Sequence, residues 1–154
     1  MYWRRPGYHG GDLKDGFIKI NFDGSKTSQS AVGGFILRNW VGRFIQASAF
    51  NLGAASILVA EATAMRNGIK AAVRLGFKNI HVEGNNQILI RAIKDQIEAP
   101  WQIQTLVQDI KTYLQECHNI IITHIFSGRE FCGWLGREVW LVYSIPISVG
   151  WNPT

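Results

Sequence analysis

The chain has 154 residues, of which 47% are hydrophobic, and this is the size and composition of one globular domain. It lacks the run of ~20 apolar residues that a membrane helix needs, and its N-terminus lacks the apolar segment of a secretory signal. We therefore expect an intracellular protein, nuclear or cytoplasmic, with no membrane partner. The net charge of +5 is compatible with a polyanionic partner, and the two cysteines lack zinc-site spacing.

The first half of the sequence predicts an antiparallel meander. Residues 1–16 show no hydrophobic period and are interpreted as an N-terminal tail. Alternating apolar and polar residues then predict three strands, at about 17–23, 31–38 and 43–50. The connections are predicted at Asp23-Gly24-Ser25 with the polar stretch to Ser30, and at Trp40-Val41-Gly42.

Helical spacing follows the meander. Ser56 is a suitable N-cap for a helix to residue 75, and the small residues on one face would let that helix lie close to a sheet. The remaining elements are predicted as a strand at 80–83, a helix at 86–94, a helix from residue 100 and a strand at 119–126. The order βββ-α-β-α-α-β predicts an α/β domain, a mixed five-stranded sheet flanked by helices, over residues 17–126. Residues 127–154 lose the pattern and are interpreted as a divergent tail.

Asp23 follows the apolar residues of the first predicted strand. A carboxylate at the end of a strand is well placed to hold a metal, and oxygen ligands suit Mg²⁺. A two-metal reaction needs more than one or two carboxylates, so Asp23 would need partners. An Asp before Gly is also common in hairpin turns, so this residue alone does not decide between the two interpretations.

The element order and five short motifs resemble a known fold. The motifs are 20–25 (INFDGS), 33–38 (GGFILR), 60–64 (AEATA), 81–87 (HVEGNNQ) and 122–126 (ITHIF). Over roughly residues 15–126 the chain resembles the ribonuclease H-like fold, and most closely the plant-type, reverse-transcriptase-like domain of the RNase H type 1 family, often found in retroelement-derived reading frames. The resemblance implies a hydrolase that binds an RNA–DNA hybrid and cleaves its RNA strand as an endonuclease. It further implies four carboxylates that hold two Mg²⁺ or Mn²⁺ ions.

Two of those four carboxylates have a match in this chain. The resemblance places Asp23 and Glu61 as metal ligands, although Glu61 also lies where negative charge suits the start of a helix. The third position falls on Asn85, whose amide oxygen brings no charge to offset the repulsion between two Mg²⁺ ions. Glu83 lies two positions away on the same strand face, but the family has a Glu there as well, so we do not expect it to compensate.

The fourth carboxylate has no match near residue 127. The family continues with Arg-Glu-Gly-Asn and later Asp-Trp-Leu, whereas this chain has Trp134 at the place of that Asp, or Gly133 if one residue is skipped. Glu138 is the nearest acidic candidate and lacks a matching context. Codons for residues 127–133 can be chosen that give Arg-Glu-Gly-Asn-Ser-Val-Ala when read one base later. A one-base insertion or a misassigned splice site near Ser127 is therefore one hypothesis and ordinary divergence the other; the nucleotide sequence at codon 127 decides between them.

Contacts to nucleic acid are expected around Asp23. The candidates are Asn21, Gly24, Ser25, Arg38 and Asn85, and further candidates for phosphate contacts are Lys19, Lys26, Arg43, Arg66 and Lys70. Each basic residue could equally be a solvated surface charge. Trp40 and Trp101 are interpreted as packing residues rather than platforms for base stacking.

The sequence thus predicts a monomeric domain of ribonuclease H type that binds RNA–DNA hybrids. Its ancestral Mg²⁺-dependent hydrolysis is expected to be impaired, with weakened metal binding, because two of four carboxylates are missing. Two alternatives stay open: a non-catalytic nucleic-acid-binding module, and a non-functional relic of a retroelement.

Overall fold

The computed structural model describes residues 16–125. Its elements are β1 (Phe17–Lys26), β2 (Ala31–Asn39), β3 (Phe44–Asn51), α1 (Ile57–Arg74), β4 (Asn79–Gly84), α2 (Gln87–Ile93), α3 (Gln104–Leu114) and β5 (Asn119–His124), with a 3₁₀ turn at Trp101–Ile103 before α3. The predicted element order is confirmed. The predicted N-terminal tail up to residue 15, the end of the last strand at Phe126 and the region of the fourth carboxylate lie outside the described residues. Within residues 16–125, no helix is both long enough and apolar enough to cross a bilayer.

The five strands form one mixed sheet in the order β3-β2-β1-β4-β5. β2 pairs antiparallel with both β1 and β3, whereas β4 pairs parallel with both β1 and β5. Helix α1 packs against β1 and β2, and α3 packs against α1. The predicted α/β architecture with a mixed five-stranded sheet is therefore confirmed, and its core lies between the sheet and these helices.

Strand β1 is longer than the sequence predicts. Gly24, Ser25 and Lys26 continue the pairing with β2, and the turn lies beyond them, where the N–H of Thr27 donates to the carbonyl of Ser30 at 2.9 Å. The polar stretch to Ser30 does contain the turn. The predicted turn residues Asp23-Gly24-Ser25, however, were wrong, because pairing with β2 supplies backbone partners that composition does not reveal. Asp23 is therefore a strand residue, which removes the interpretation of it as a turn-forming Asp.

Helix α1 has the predicted ends. The Oγ of Ser56 accepts the N–H of Val59 at 3.1 Å, which satisfies one of the free donors of the first turn. At the other end, Leu75 is the C-cap and Gly76 follows with φ of +87°, a conformation that glycine adopts without strain.

Two paired glycines let the start of α1 touch the sheet. Gly24 of β1 and Gly33 of β2 are cross-strand partners. A Cβ on Gly24 would lie 2.7 Å from Cγ of Glu61, and a Cβ on Gly33 would lie 2.6 Å from the carbonyl oxygen of Ala60. No side chain fits between the sheet and α1 at these positions, so the close approach brings Glu61 next to β1.

Candidate functional site

Asp23 and Glu61 form the centre of the candidate site. Asp23 lies in β1, and its Oδ1 accepts the N–H of Gly24 at 2.8 Å. Glu61 lies in the second turn of α1 and is 5% exposed. Burial raises the pKa of Glu61, a hydrogen bond from Asn86 lowers it, and the negative charge of Asp23 raises it again. A Cβ on Gly24, the residue after Asp23, would lie 2.7 Å from Cγ of Glu61, so the two carboxylates are neighbours and repel each other when both are ionised.

Asn85 lies toward the same end of the sheet as Asp23. Asn21 of β1 and Glu83 of β4 are the last parallel pair, and Asp23 and Asn85 each follow two residues later, Asn85 beyond the end of β4. Asn85 is partly buried in the turn after β4. Its carbonyl oxygen accepts a hydrogen bond from Nε2 of His124 at 3.1 Å. The three residues singled out by the sequence thus converge at one end of the sheet.

Asn86 and His124 are site residues that the sequence reasoning missed. The Nδ2 of Asn86 donates to Oε2 of Glu61, and its Oδ1 accepts the N–H of Leu89 at 3.0 Å. The second contact could have been anticipated, because Asn at the start of a predicted helix is a common N-cap. The first depends on the approach of α1 to α2, which no local pattern reveals.

Glu83 is engaged away from the pair of carboxylates. Its carboxylate lies 3.1 Å from Nζ of Lys19 and accepts the Nδ2 of Asn21 at 3.1 Å. Nε2 of His81 lies 3.4 Å from the same group. These contacts support the expectation that Glu83 does not substitute for the missing carboxylate.

Several predicted contacts to nucleic acid do not fit the burial of their residues. Asn21 is 3% exposed and Arg38 is 6% exposed, so neither presents an accessible side chain to a sugar or a phosphate. The N–H of Gly24 is already bound to Asp23. Arg66 lies 3.5 Å from Asp109, whereas Ser25, Lys26 and Arg43 are exposed and Lys70 is half-buried.

The interpretation of Trp40 and Trp101 as packing residues was wrong for Trp101. Trp101 is 80% exposed because the 3₁₀ turn before α3 carries it outward, and Trp40 at the hairpin of β2 and β3 is 40% exposed. Val41 and Phe44 of the same hairpin are also exposed. Apolar residues in or next to short turns are therefore more exposed than their hydrophobicity suggests.

The residues of the site suit one hard cation rather than two. Among residues 16–125, no group of three or more His, Cys, Asp or Glu side chains is arranged to hold a metal. The buried Glu61 carboxylate, the half-buried Asp23 carboxylate and the Asn85 amide at the same end of the sheet are oxygen donors of the kind that Mg²⁺ or Mn²⁺ accepts. Two adjacent dications would carry twice the charge of this pair, so the described residues do not fit a two-ion centre.

Replacing Asp23 with Asn is expected to stabilise the metal-free protein. Burial raises the pKa of Asp23 and the N–H of Gly24 lowers it, with a net rise. A raised acid pKa means that the ionised form is disfavoured in the folded state, so stability is lost as pH rises through the folded pKa. We expect a higher unfolding temperature than that of the wild type at pH 7, measured by thermal unfolding in EDTA. The gain should vanish below pH 3.8, the ordinary value, where Asp23 is protonated in both states.

The matched control is Asp109→Asn, which removes an exposed carboxylate that pairs with Arg66. Exposed salt bridges contribute little to folding stability, so this variant should leave the unfolding temperature almost unchanged. Mg²⁺ should raise the unfolding temperature of the wild type and of Asp109→Asn but not that of Asp23→Asn. A loss of metal-free stability in Asp23→Asn at pH 7 would contradict the burial argument.

Comparison with known proteins agrees with the fold described above. The sequence model of the reverse transcriptase-like family matches residues 21–130. The RNase H1 of the halophilic archaeon Halobacterium salinarum is 20% identical, with a TM-score of 0.67 over 72% of this chain and 86% of its own. The N-terminal RNase H domain of a Mycobacterium tuberculosis protein is 18% identical, with a TM-score of 0.69 over 75% of this chain and 86% of its own.

A third similar structure is an RNase H1 from compost, LC11-RNase H1, solved in complex with an RNA/DNA hybrid. It is 20% identical, with a TM-score of 0.65 over 74% of this chain and 87% of its own. A search of curated proteins by sequence found no match. These likenesses establish the fold, and the family match covers well over half of the residues. The chain belongs to the reverse transcriptase-like family and has the ribonuclease H-like fold.

Proposed function

We propose that this protein binds RNA–DNA hybrids and that its metal-dependent hydrolysis of the RNA strand is impaired. The observation that carries the proposal is the close approach of Glu61 to the part of β1 that holds Asp23, with an uncharged Asn85 at the same end of the sheet. The fold supports the substrate class, since LC11-RNase H1 was solved with an RNA/DNA hybrid and a foamy viral protease–reverse transcriptase with double-stranded DNA.

Asp23 and Glu61 would hold a divalent ion, with the amide oxygen of Asn85 as a neutral third donor. Such an ion, when bound, would polarise a phosphodiester and lower the pKa of a water molecule. The residues of this chain contribute a rigid and partly buried pair of oxygens. Asp23 is fixed by its place in the strand and by the N–H of Gly24, and Glu61 is fixed by α1.

The impairment follows from the charge of the site. A ligand that brings a full negative charge is replaced at residue 85 by an amide, and the described part of the chain offers no other carboxylate to the pair. Loss of one such charge near a dication costs on the order of several kcal/mol at low dielectric. We therefore expect weak binding of Mg²⁺ and slow cleavage, rather than loss of the fold.

A paired assay of binding and cleavage tests the proposal. We expect the protein to bind a fluorescent RNA–DNA hybrid in an anisotropy titration, with an affinity that falls steeply between 50 and 200 mM salt, as roughly three or more phosphate contacts would require. Cleavage of the labelled RNA strand in Mg²⁺ or Mn²⁺ should be slow. Asp23→Asn should abolish any residual cleavage and Asp109→Asn should not.

The outcomes separate the alternatives. Hybrid binding with no cleavage in either metal would identify a non-catalytic module. Failure to bind any nucleic acid at low salt would contradict the proposal and favour a relic of a retroelement. Fast cleavage that depends on Asp23 would support hybrid binding but refute the proposal that hydrolysis is impaired.

A further inference from the structure

We infer that Asn86 is a positioning residue that holds the Glu61 carboxylate beside Asp23 for a divalent ion; the inference rests on the proposed function. Asn86 is the N-cap of α2, with φ of −87° and ψ of 100°. Its Oδ1 accepts the N–H of Leu89 at 3.0 Å, and its Nδ2 donates to Oε2 of Glu61. One amide side chain thus joins the start of α2 to the buried carboxylate of α1.

These two contacts determine the orientation of the Asn86 amide. The backbone N–H of Leu89 can only donate, so the atom that faces it must be the amide oxygen. The carboxylate of Glu61 can only accept, so the NH₂ group must face Glu61. The reverse orientation would place two donors together at α2 and two acceptors together at Glu61. Because the oxygen is held by the helix, the NH₂ group is a donor in a fixed position.

The NH₂ group of Asn86 occupies one carboxylate oxygen of Glu61 and leaves the other available to a cation. Among the hydrogen bonds between described residues, Glu61 accepts only at Oε2. The charge of Asp23 acts on the same carboxylate, so a cation between the two acids would meet Glu61 in a fixed orientation. Side chains that hold a metal-binding carboxylate in place typically change metal affinity by about 10–100-fold.

Capping alone does not require asparagine at this position. Ser and Asp also accept the N–H of the first turn, so each preserves the start of α2. Ser is too short to reach Glu61 as Asn does and has no NH₂ group. Asp would instead direct a carboxylate oxygen towards Glu61. Both Asn86→Ser and Asn86→Asp therefore keep the cap. Asn86→Ser removes the hydrogen bond to Glu61, whereas Asn86→Asp replaces it with a repulsion between two carboxylates.

The first experiment measures Mn²⁺ binding by calorimetry. We expect Asn86→Ser to weaken the affinity about tenfold while the helical circular dichroism is retained. Asn86→Asp should bind Mn²⁺ more tightly than the wild type and should unfold at a lower temperature without metal, because two carboxylates then face each other. Asn51→Ser is the control, since Asn51 caps a turn after β3 through the N–H of Gly53 and should not change Mn²⁺ affinity.

The second experiment needs no metal. In EDTA, Asn86→Ser should lower the unfolding temperature of the wild type more than that of a Glu61→Ala variant, because the contact with Glu61 exists only in the first background. If Asn86→Ser lowered the unfolding temperature equally in both backgrounds, the inference that Asn86 holds Glu61 would be overturned, even if the protein binds Mn²⁺. Equal Mn²⁺ affinities of Asn86→Ser and wild type would also overturn the inference. A wild type that binds no Mn²⁺ refutes the metal-dependent half of the proposed function, and the metal-free comparison then decides separately whether Asn86 holds Glu61.

Discussion

Replacing Asn85 with Asp is expected to raise both the affinity for Mg²⁺ and the rate of hybrid cleavage. Asn85 follows β4 at the end of the sheet where Asp23 lies, and the family resemblance expects a carboxylate at this position, so we expect the new carboxylate to join Asp23 and Glu61. A unit charge about 4 Å away contributes on the order of 1–4 kcal/mol, depending on the local dielectric. We therefore expect Mg²⁺ affinity to rise by about tenfold or more, measured by calorimetry. Cleavage of a labelled RNA–DNA hybrid should increase in parallel.

The matched control is Gln87→Glu, which adds the same charge two residues away on an exposed position of α2. It should leave Mg²⁺ affinity and cleavage near the wild-type values. In EDTA, Asn85→Asp should unfold at a lower temperature than Gln87→Glu, because only the former adds repulsion to a buried pair. If Asn85→Asp matched Gln87→Glu in every measurement, residue 85 would not be part of the site.

Short-range signals account for the parts of the fold that the sequence predicted. Alternation in β1, the Ser56 cap and the Gly76 end of α1 each depend on residues a few positions apart. Signals of this kind remain visible in one sequence without knowledge of its neighbours in space. The expectation that Asp23 and Glu61 share a site came instead from the resemblance to the ribonuclease H-like fold.

The parts that were missed depend on tertiary contacts. Asp23-Gly24-Ser25 has the composition of a turn, yet pairing with β2 extends the strand through it. The contact of Asn86 with Glu61 joins residues 25 positions apart on different helices. The burial of Asn21 similarly depends on Glu83, a residue of another strand. Composition and spacing identified residues that can form hydrogen bonds or bind a metal. Which residues contact each other could be read only from the packed structure.

Replacing Gly33 with Ala is expected to destabilise the fold and to disrupt the site at once. A Cβ at this position would lie 2.6 Å from the carbonyl oxygen of Ala60 and 2.8 Å from the ring of Phe50. The first neighbour is backbone in a regular helix, so relief requires α1 to move away from the sheet. Overpacking of this kind typically costs about 1–3 kcal/mol, and we expect the upper end of that range because the nearest atom belongs to the helix backbone. Thermal unfolding should show a fall of roughly 10 °C or more.

If α1 moves away from the sheet, Mn²⁺ affinity should also fall, which lower stability alone would not cause. Glu61 follows Ala60 directly, so movement of this turn separates the Glu61 carboxylate from Asp23 and should weaken Mn²⁺ binding at temperatures where the variant is folded. Gly42→Ala is the matched control: Gly42 has φ of +83°, and no atom lies within 4 Å of an added Cβ. It should cost about 1–2 kcal/mol through backbone strain and leave Mn²⁺ affinity unchanged. Equal Mn²⁺ affinities in folded Gly33→Ala and wild type would show that the glycine pair supports stability but does not position the site.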